Sequence, residues 1–187
     1  MRIVAGSLRG RSLVAPKGHS TRPTTDRARE AMFNVLEHAP WSTGLRDAQA
    51  VDLFAGSGAL GLEALSRGAA SCLFVDNDQA AVAAISRNIQ SLGLGGQATV
   101  RAGDATTIAA GTAFDLALID PPYAQGLAER AVSALSSGHR LAVGGIVVVE
   151  QGAGEAAFTA PGFVVLDARA WGAARVSFLQ FRDESGR

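Results

Sequence analysis

From Ala50 onward, short apolar runs alternate with segments whose apolar residues recur every three or four positions. The runs at 50–55 (AVDLFA), 71–76 (SCLFVD), 98–103 (ATVRAG), 114–120 (FDLALID) and 146–150 (IVVVE) predict strands. They are nearly all apolar rather than alternating, as expected of strands covered on both faces. Between them, 59–67 predicts a helix closed by Gly68, and 78–92 predicts another, with Val82, Ile85, Ile89 and Leu92 facing inward before Gly93. A short helical piece is expected after 103, and a further helix runs through Leu127, Ala131, Val132 and Leu135. This alternation predicts an α/β domain built on a parallel sheet. The last runs, 163–170 and 175–182, leave no room for a crossover helix and should pair antiparallel.

The first 24 residues read differently. Extended pieces at 2–5 and 12–15 flank the turn GSLRGR, which predicts a hairpin or arm. A polar loop follows Pro16. A helix then starts near Thr25 or Asp26, both suitable caps, and places Ala28, Met32, Val35 and Leu36 on one face before Pro40. The division expected is an arm at 1–24 and one domain at 25–187.

Charge sharpens that division. The net charge of the 187 residues is zero, yet residues 1–30 hold seven Lys or Arg against two acids, leaving the body acidic. A basic arm on an acidic body suits an anionic partner docked at one end, although a merely solvated tail would share the composition. The 48% hydrophobic content suffices for one core. No apolar stretch approaches the roughly 20 residues of a membrane span, and no apolar signal region follows the start, so a cytoplasmic protein, expected to be monomeric, is the reading. The single cysteine, Cys72, and the scattered His19, His38 and His139 offer no metal-ligand spacing.

Ligands of open parallel sheets bind beyond the carboxyl ends of the strands. The polar exceptions fall at those ends: Gly56, Ser57 and Gly58 after the first strand, Asp76 at the end of the second, Asp104 just after the third, and Asp120 at the end of the fourth. Each acid alone would serve as a helix cap; together on one edge they favour a site. The loop from Asp52 to Gly61, DLFAGSGALG, satisfies G-x-G-x-x-G and lets the backbone approach a ligand closely. That pattern alone equally fits a dinucleotide enzyme with Asp76 on the ribose, or a packing turn. Asp120, Pro121, Pro122 and Tyr123 separate the readings. Two prolines stiffen the corner and remove two donors, so it presents acceptors. An amine attacking a methyl sulfonium needs acceptors for its hydrogens, which the Asp120 carboxylate and Pro121 carbonyl supply. Tyr123 offers a flat face for an unstacked base.

The opening MRIVAGSLRGR, the block RPTTDRAREAMFN from Arg22 to Asn34, the loop VDLFAGSGALGLEALSRGA and DPPY together resemble the bacterial small-subunit ribosomal RNA guanine-N2 methyltransferase D family, over essentially the whole chain. The resemblance implies a Rossmann-like class I methyltransferase fold: a seven-stranded, mostly parallel sheet with an antiparallel C-terminal strand, plus the small basic N-terminal hairpin. It implies S-adenosylmethionine as donor, S-adenosylhomocysteine as product, and 16S rRNA of the assembling small ribosomal subunit as partner, methylated at N2 of one guanine. Asp52, Gly56 and Gly58 then line the methionine end, with Phe54 and Ser57 in the same loop. Asp76 and Asn77 hold the ribose, and Asp104 with Ala105 meets the adenine. Many relatives carry Glu at the position of Asp76, which leaves Asp78 as a second ribose candidate; Tyr123 is often Phe among them.

The arm reads as an RNA clamp in which Arg9, Arg11, Arg22, Thr24 and Arg29 meet phosphates or unpaired bases. Competing readings are adenine-N6 methylation, which DPPY serves equally well, a non-catalytic RNA-binding assembly factor, and a nicotinamide-dependent oxidoreductase. Cys72, in an apolar strand, reads as core, and Trp171 as a packing lid.

Overall fold

Strands covered on both faces must stack their helices above and below the sheet, and they do so in the computed structural model, which describes residues 1–16, 25–122 and 126–182. The elements are α1 (Asp26–His38), β1 (Gln49–Leu53), α2 (Ala59–Ser66), β2 (Ser71–Asp76), α3 (Gln79–Leu92), β3 (Ala98–Ala102), β4 (Phe114–Ile119), α4 (Leu127–Ser137), β5 (Leu141–Gly152), β6 (Phe163–Trp171) and β7 (Ala174–Phe181). The sheet order is β3-β2-β1-β4-β5-β7-β6. Strands β1 to β5 pair parallel, and β7 runs antiparallel between β5 and β6. The order reverses between β1 and β4, the switch point at which open α/β sheets form a ligand crevice beyond the carboxyl ends.

Alternating strand residues feed two apolar layers. Ala50, Phe74, Leu116, Leu118 and Val148 join Met32 and Phe33 of α1, Leu62 of α2 and Ile85 of α3. Val51, Leu53, Ala117, Ile119 and Val147 join Ala131, Val132 and Leu135 of α4 on the other face. The helices begin and end on the predicted signals. The Thr25 hydroxyl accepts from Ala28 N–H at 3.1 Å and the Asp78 carboxylate from Ala80 N–H at 3.0 Å. Left-handed Gly93 closes α3, and Leu94 N–H reaches back to Ile89 O at 3.0 Å. The stretch after β3 departs from expectation. It is a turn closed by Thr107 N–H on Asp104 O, not a helical piece, because Asp104 takes up the local donors itself (below).

The amino-terminal hairpin forms as expected, with Arg2 bridged to Ser12, and Ile3 N–H bonded to Arg11 O and Leu13 N–H to Met1 O. It is docked on the body. Ile3 and Leu13 are buried in the first apolar layer, and each contributes roughly 1.5–3 kcal/mol. Polar bonds fix the same docking to α2. The Glu63 carboxylate accepts Val4 N–H at 2.9 Å and Ala5 N–H at 3.0 Å, and the Ser66 hydroxyl donates to Ala5 O at 2.6 Å and accepts Leu8 N–H at 3.0 Å.

Candidate active site

The chain leaves β1 through a tight loop in which Phe54, Gly56 and Gly58 all take left-handed φ values of 59°, 57° and 78°. Phe54 has no glycine freedom, and holding it there costs on the order of 1–3 kcal/mol. The loop is pinned on both sides: Ala55 N–H bonds Val75 O at 3.2 Å, and Gly58 N–H bonds Ala55 O at 2.7 Å. The glycines serve different ends. A Cβ at Gly56 would meet no protein atom within 4 Å and would stand in open space; a Cβ at Gly61 would stand 2.7 Å from Cys72 Sγ and closer still to the Phe74 ring. Gly61 therefore lets α2 lie against β2, whereas the space beside Gly56, near the amino end of α2, is left unfilled by protein.

The acids at the strand ends divide similarly. Asp76, 9% exposed, accepts Gly56 N–H on Oδ2 at 2.8 Å and Asp78 N–H on Oδ1 at 2.9 Å. Each oxygen retains accepting capacity toward a hydroxyl in the crevice. Asp78, the other ribose candidate, spends one carboxylate oxygen capping α3. Asp104 is exposed and accepts Thr106 N–H at 2.8 Å and Thr106 Oγ1–H at 2.7 Å; these bonds, with the nearby Arg130 charge, hold its carboxyl below the usual range. Arg130 also donates to Thr106 Oγ1 at 3.1 Å. Asn77 is exposed beside Asp76, and Ala105 is buried under the Asp104 turn.

Asp52 lies beneath the loop rather than on its open surface. It is 1% exposed and accepts Gly61 N–H at 2.8 Å. Burial pushes its carboxyl up to about 8, the Gly61 bond opposing and the Asp76 charge adding to the rise. Its direct part is to brace the start of α2. Ser57, also buried, donates its hydroxyl to Met1 Sδ at 3.2 Å.

Asp120 follows Ile119, the residue paired with Leu53 across β1 and β4, and its N–H points to Leu53 O at 3.5 Å. Adjacent strands lie about 4.8 Å apart. The Asp120 corner and the glycine loop thus leave neighbouring strands at the same level, on either side of the crevice. Asp120 is half-buried, Pro121 buried and Pro122 exposed; Tyr123 lies outside the described residues.

The arm residues separate. Arg9 and Arg11 are exposed on the hairpin, with Arg11 donating to Ser91 O at 2.7 Å; Arg22 and Thr24 lie outside the described residues. Arg29 corrects its expectation. Its guanidinium is 1% exposed, hydrogen-bonded to the Arg2 carbonyl and to Asp26 at 2.9 Å and ion-paired with Glu63 at 3.5 Å, so it supports the hairpin from inside and does not face RNA. The sequence reading missed Glu63, Ser66 and Asn88. Asn88 at least carried a signal, being a polar residue in phase with the apolar stripe of Ile85, Ile89 and Leu92.

A cavity of about 290 Å³ lined by Leu36, Trp41, Asp115 and Ile146 opens at the amino end of β4, opposite to Asp120. Among the described residues, no group of three or more His, Cys, Asp or Glu is placed to hold a metal ion, and no helix is long and apolar enough to cross a membrane.

The family model described as "Conserved hypothetical protein 95" matches residues 1–180. The chain is 40% identical over 151 residues to Ribosomal RNA small subunit methyltransferase D of Escherichia coli K12, spanning 80% of this chain and 74% of that protein. The protein of the same name from Haemophilus influenzae is 35% identical over 155 residues, with 80% and 78% spanned. Among solved structures, the Escherichia coli protein yhhF, provisionally named a methyltransferase, matches with a TM-score of 0.86 at 36% identity, covering 98% of this chain and 99% of that one.

Proposed function

The chain belongs to the small-subunit ribosomal RNA methyltransferase D family, matched by that family model over residues 1–180 and sharing the class I methyltransferase fold, and from that premise we propose that it methylates N2 of one guanine in 16S rRNA. The observation that supports this most is the Leu53–Ile119 register, which sets the Asp120 corner level with the glycine loop. S-adenosylmethionine, when bound, supplies a methyl group on a sulfonium. Gly56 would leave room for it, Asp76 would accept from the ribose hydroxyls, and the Asp104 turn with Ala105 would border the adenine.

The Asp120 carboxylate and the Pro121 carbonyl accept the hydrogens of the guanine amine and aim its lone pair along the line of attack. Tyr123 supplies the flat face that keeps the base out of its stack. Positioning provides most of the acceleration. The amine loses its proton to water only after gaining the methyl group, when it has become acidic, so Asp120 acts as hydrogen-bond acceptor and as partner to the developing positive charge. Arg9 and Arg11, with Arg22 and Thr24, contact RNA phosphates, and the hairpin end acts as the basic arm of a cytoplasmic, monomeric enzyme.

Nucleoside mass spectrometry of 16S rRNA from cells lacking the gene tests this. One N2-methylguanosine should be missing, and restored by the wild-type gene. A missing N6-methyladenosine would turn the reading to adenine, and an unchanged profile would overturn it.

A further inference from the structure

Asn88 is fully buried on α3, and its side-chain amide uses both functions. Oδ1 accepts Val14 N–H at 2.8 Å, while Nδ2 donates to Val14 O at 3.0 Å and to Ser57 O at 2.9 Å. The pattern fixes the orientation of the amide, since a flipped group would set its N–H against Val14 N–H. Toward the hairpin, Asn88 acts as a strand edge would, engaging both backbone groups of Val14. Toward the crevice, the same nitrogen holds the carbonyl between Gly56 and Gly58. The other strand of the hairpin converges there too, through Met1 Sδ and the Ser57 hydroxyl.

We propose that Asn88 is a positioning residue for the cofactor: it ties the curvature of the Gly56–Gly58 loop to the docked hairpin, so that the RNA-binding arm also shapes the cofactor site. This rests on the reading that the crevice takes S-adenosylmethionine. The loop turns left-handed three times within five residues; Asp76 holds it at Gly56 N–H from β2, whereas Asn88 holds it at the Ser57 carbonyl, and losing Asn88 frees that carbonyl and uncouples it from Val14 of the hairpin. Asn88 holds the Ser57 carbonyl without touching the ligand space at Gly56, so its loss acts on affinity through loop geometry.

The test is calorimetric titration with S-adenosylhomocysteine, run well below the melting temperature of each variant. Asn88→Leu keeps the branching of the side chain and removes all three bonds. Asn88→Asp keeps the acceptor for Val14 N–H, loses both donations, and guards against a failure of the leucine variant to fold. Ile89→Ala, one residue along α3, is the control for destabilisation alone. We expect the dissociation constant to rise at least about tenfold in both Asn88 variants and less than about twofold in Ile89→Ala, with kcat at saturating cofactor within about threefold of wild type. In the wild type alone, ligand should also slow hydrogen exchange at the Val14 amide. Unchanged affinity in the Asn88 variants, or an equal loss in Ile89→Ala, overturns this inference alone. No binding by the wild-type protein overturns the proposed function and this inference with it.

Discussion

Placing one methyl group at Gly56 isolates ligand space from protein stability. In Gly56→Ala the new Cβ meets no protein atom within 4 Å, so no packing is disturbed. The cost to folding is the left-handed φ of 57°, about 1–2 kcal/mol. For a domain of this size each kcal/mol lowers Tm by about 2–4 °C, which gives a drop of roughly 2–8 °C. The methyl group nevertheless fills space that the proposed cofactor site needs, so S-adenosylhomocysteine should bind at least about tenfold more weakly to protein that is still fully folded. Gly61→Ala is the counterpart. Its Cβ overlaps the Phe74 ring and Cys72 Sγ, an overpacking worth about 1–3 kcal/mol or more, yet it adds nothing on the open side of the loop. Differential scanning calorimetry and titration of both variants should therefore show the larger affinity loss at Gly56. Wild-type affinity in Gly56→Ala would refute the assignment of the crevice as the cofactor site.

Glu63→Ala leaves Arg29 and Arg67 buried without their shared carboxylate and strands the Val4 and Ala5 amides. Breaking a buried pair costs on the order of 3–5 kcal/mol, about 6–20 °C in Tm; a drop below about 2 °C in a thermal melt would contradict the role given to Glu63. For Asp52 the folded value of about 8 lies above the unfolded one. Its ionisation therefore opposes folding: the penalty is absent below about pH 4, grows by at most roughly 1.4 kcal/mol per pH unit, and is complete above about pH 8. Asp52→Asn keeps an acceptor for Gly61 N–H, so urea titrations should show its stability advantage over wild type widening from pH 5 to 8.5. A difference constant with pH would show that the carboxyl does not titrate there.

The strands were legible because burial on both faces leaves an apolar run that survives without its partners, as in 71–76 and 114–120. The α3 boundaries were legible because Asp78 and Gly93 act within a few residues of themselves. β5 begins at Leu141, earlier than the run at 146–150 implies, because Gly144 and Gly145 interrupt the apolar pattern without interrupting the strand. Arg29 was misread for a related reason. Its local neighbour Asp26 is visible at helical spacing, but Glu63, which lies 34 residues further on, becomes its neighbour only when the hairpin, α1 and α2 pack. Asp52 shows the same limit. Its place in the motif marks it as part of the site, while its burial under Gly61 depends on where α2 lands. Residues that act at strand ends announced themselves; residues that hold separate segments together did not.

Under the proposed function the labour is divided, the glycine loop seating the cofactor and Asp120 holding the amine. Asp120→Ala tests it most directly, with S-adenosylhomocysteine affinity and transfer of labelled methyl to unmethylated small subunits measured on the same preparation. The dissociation constant should stay within about threefold of wild type while the transfer rate falls by about a hundredfold or more, in line with the loss of one preorganised electrostatic partner. Loss of affinity in step with loss of transfer would contradict it, placing Asp120 in the cofactor site instead.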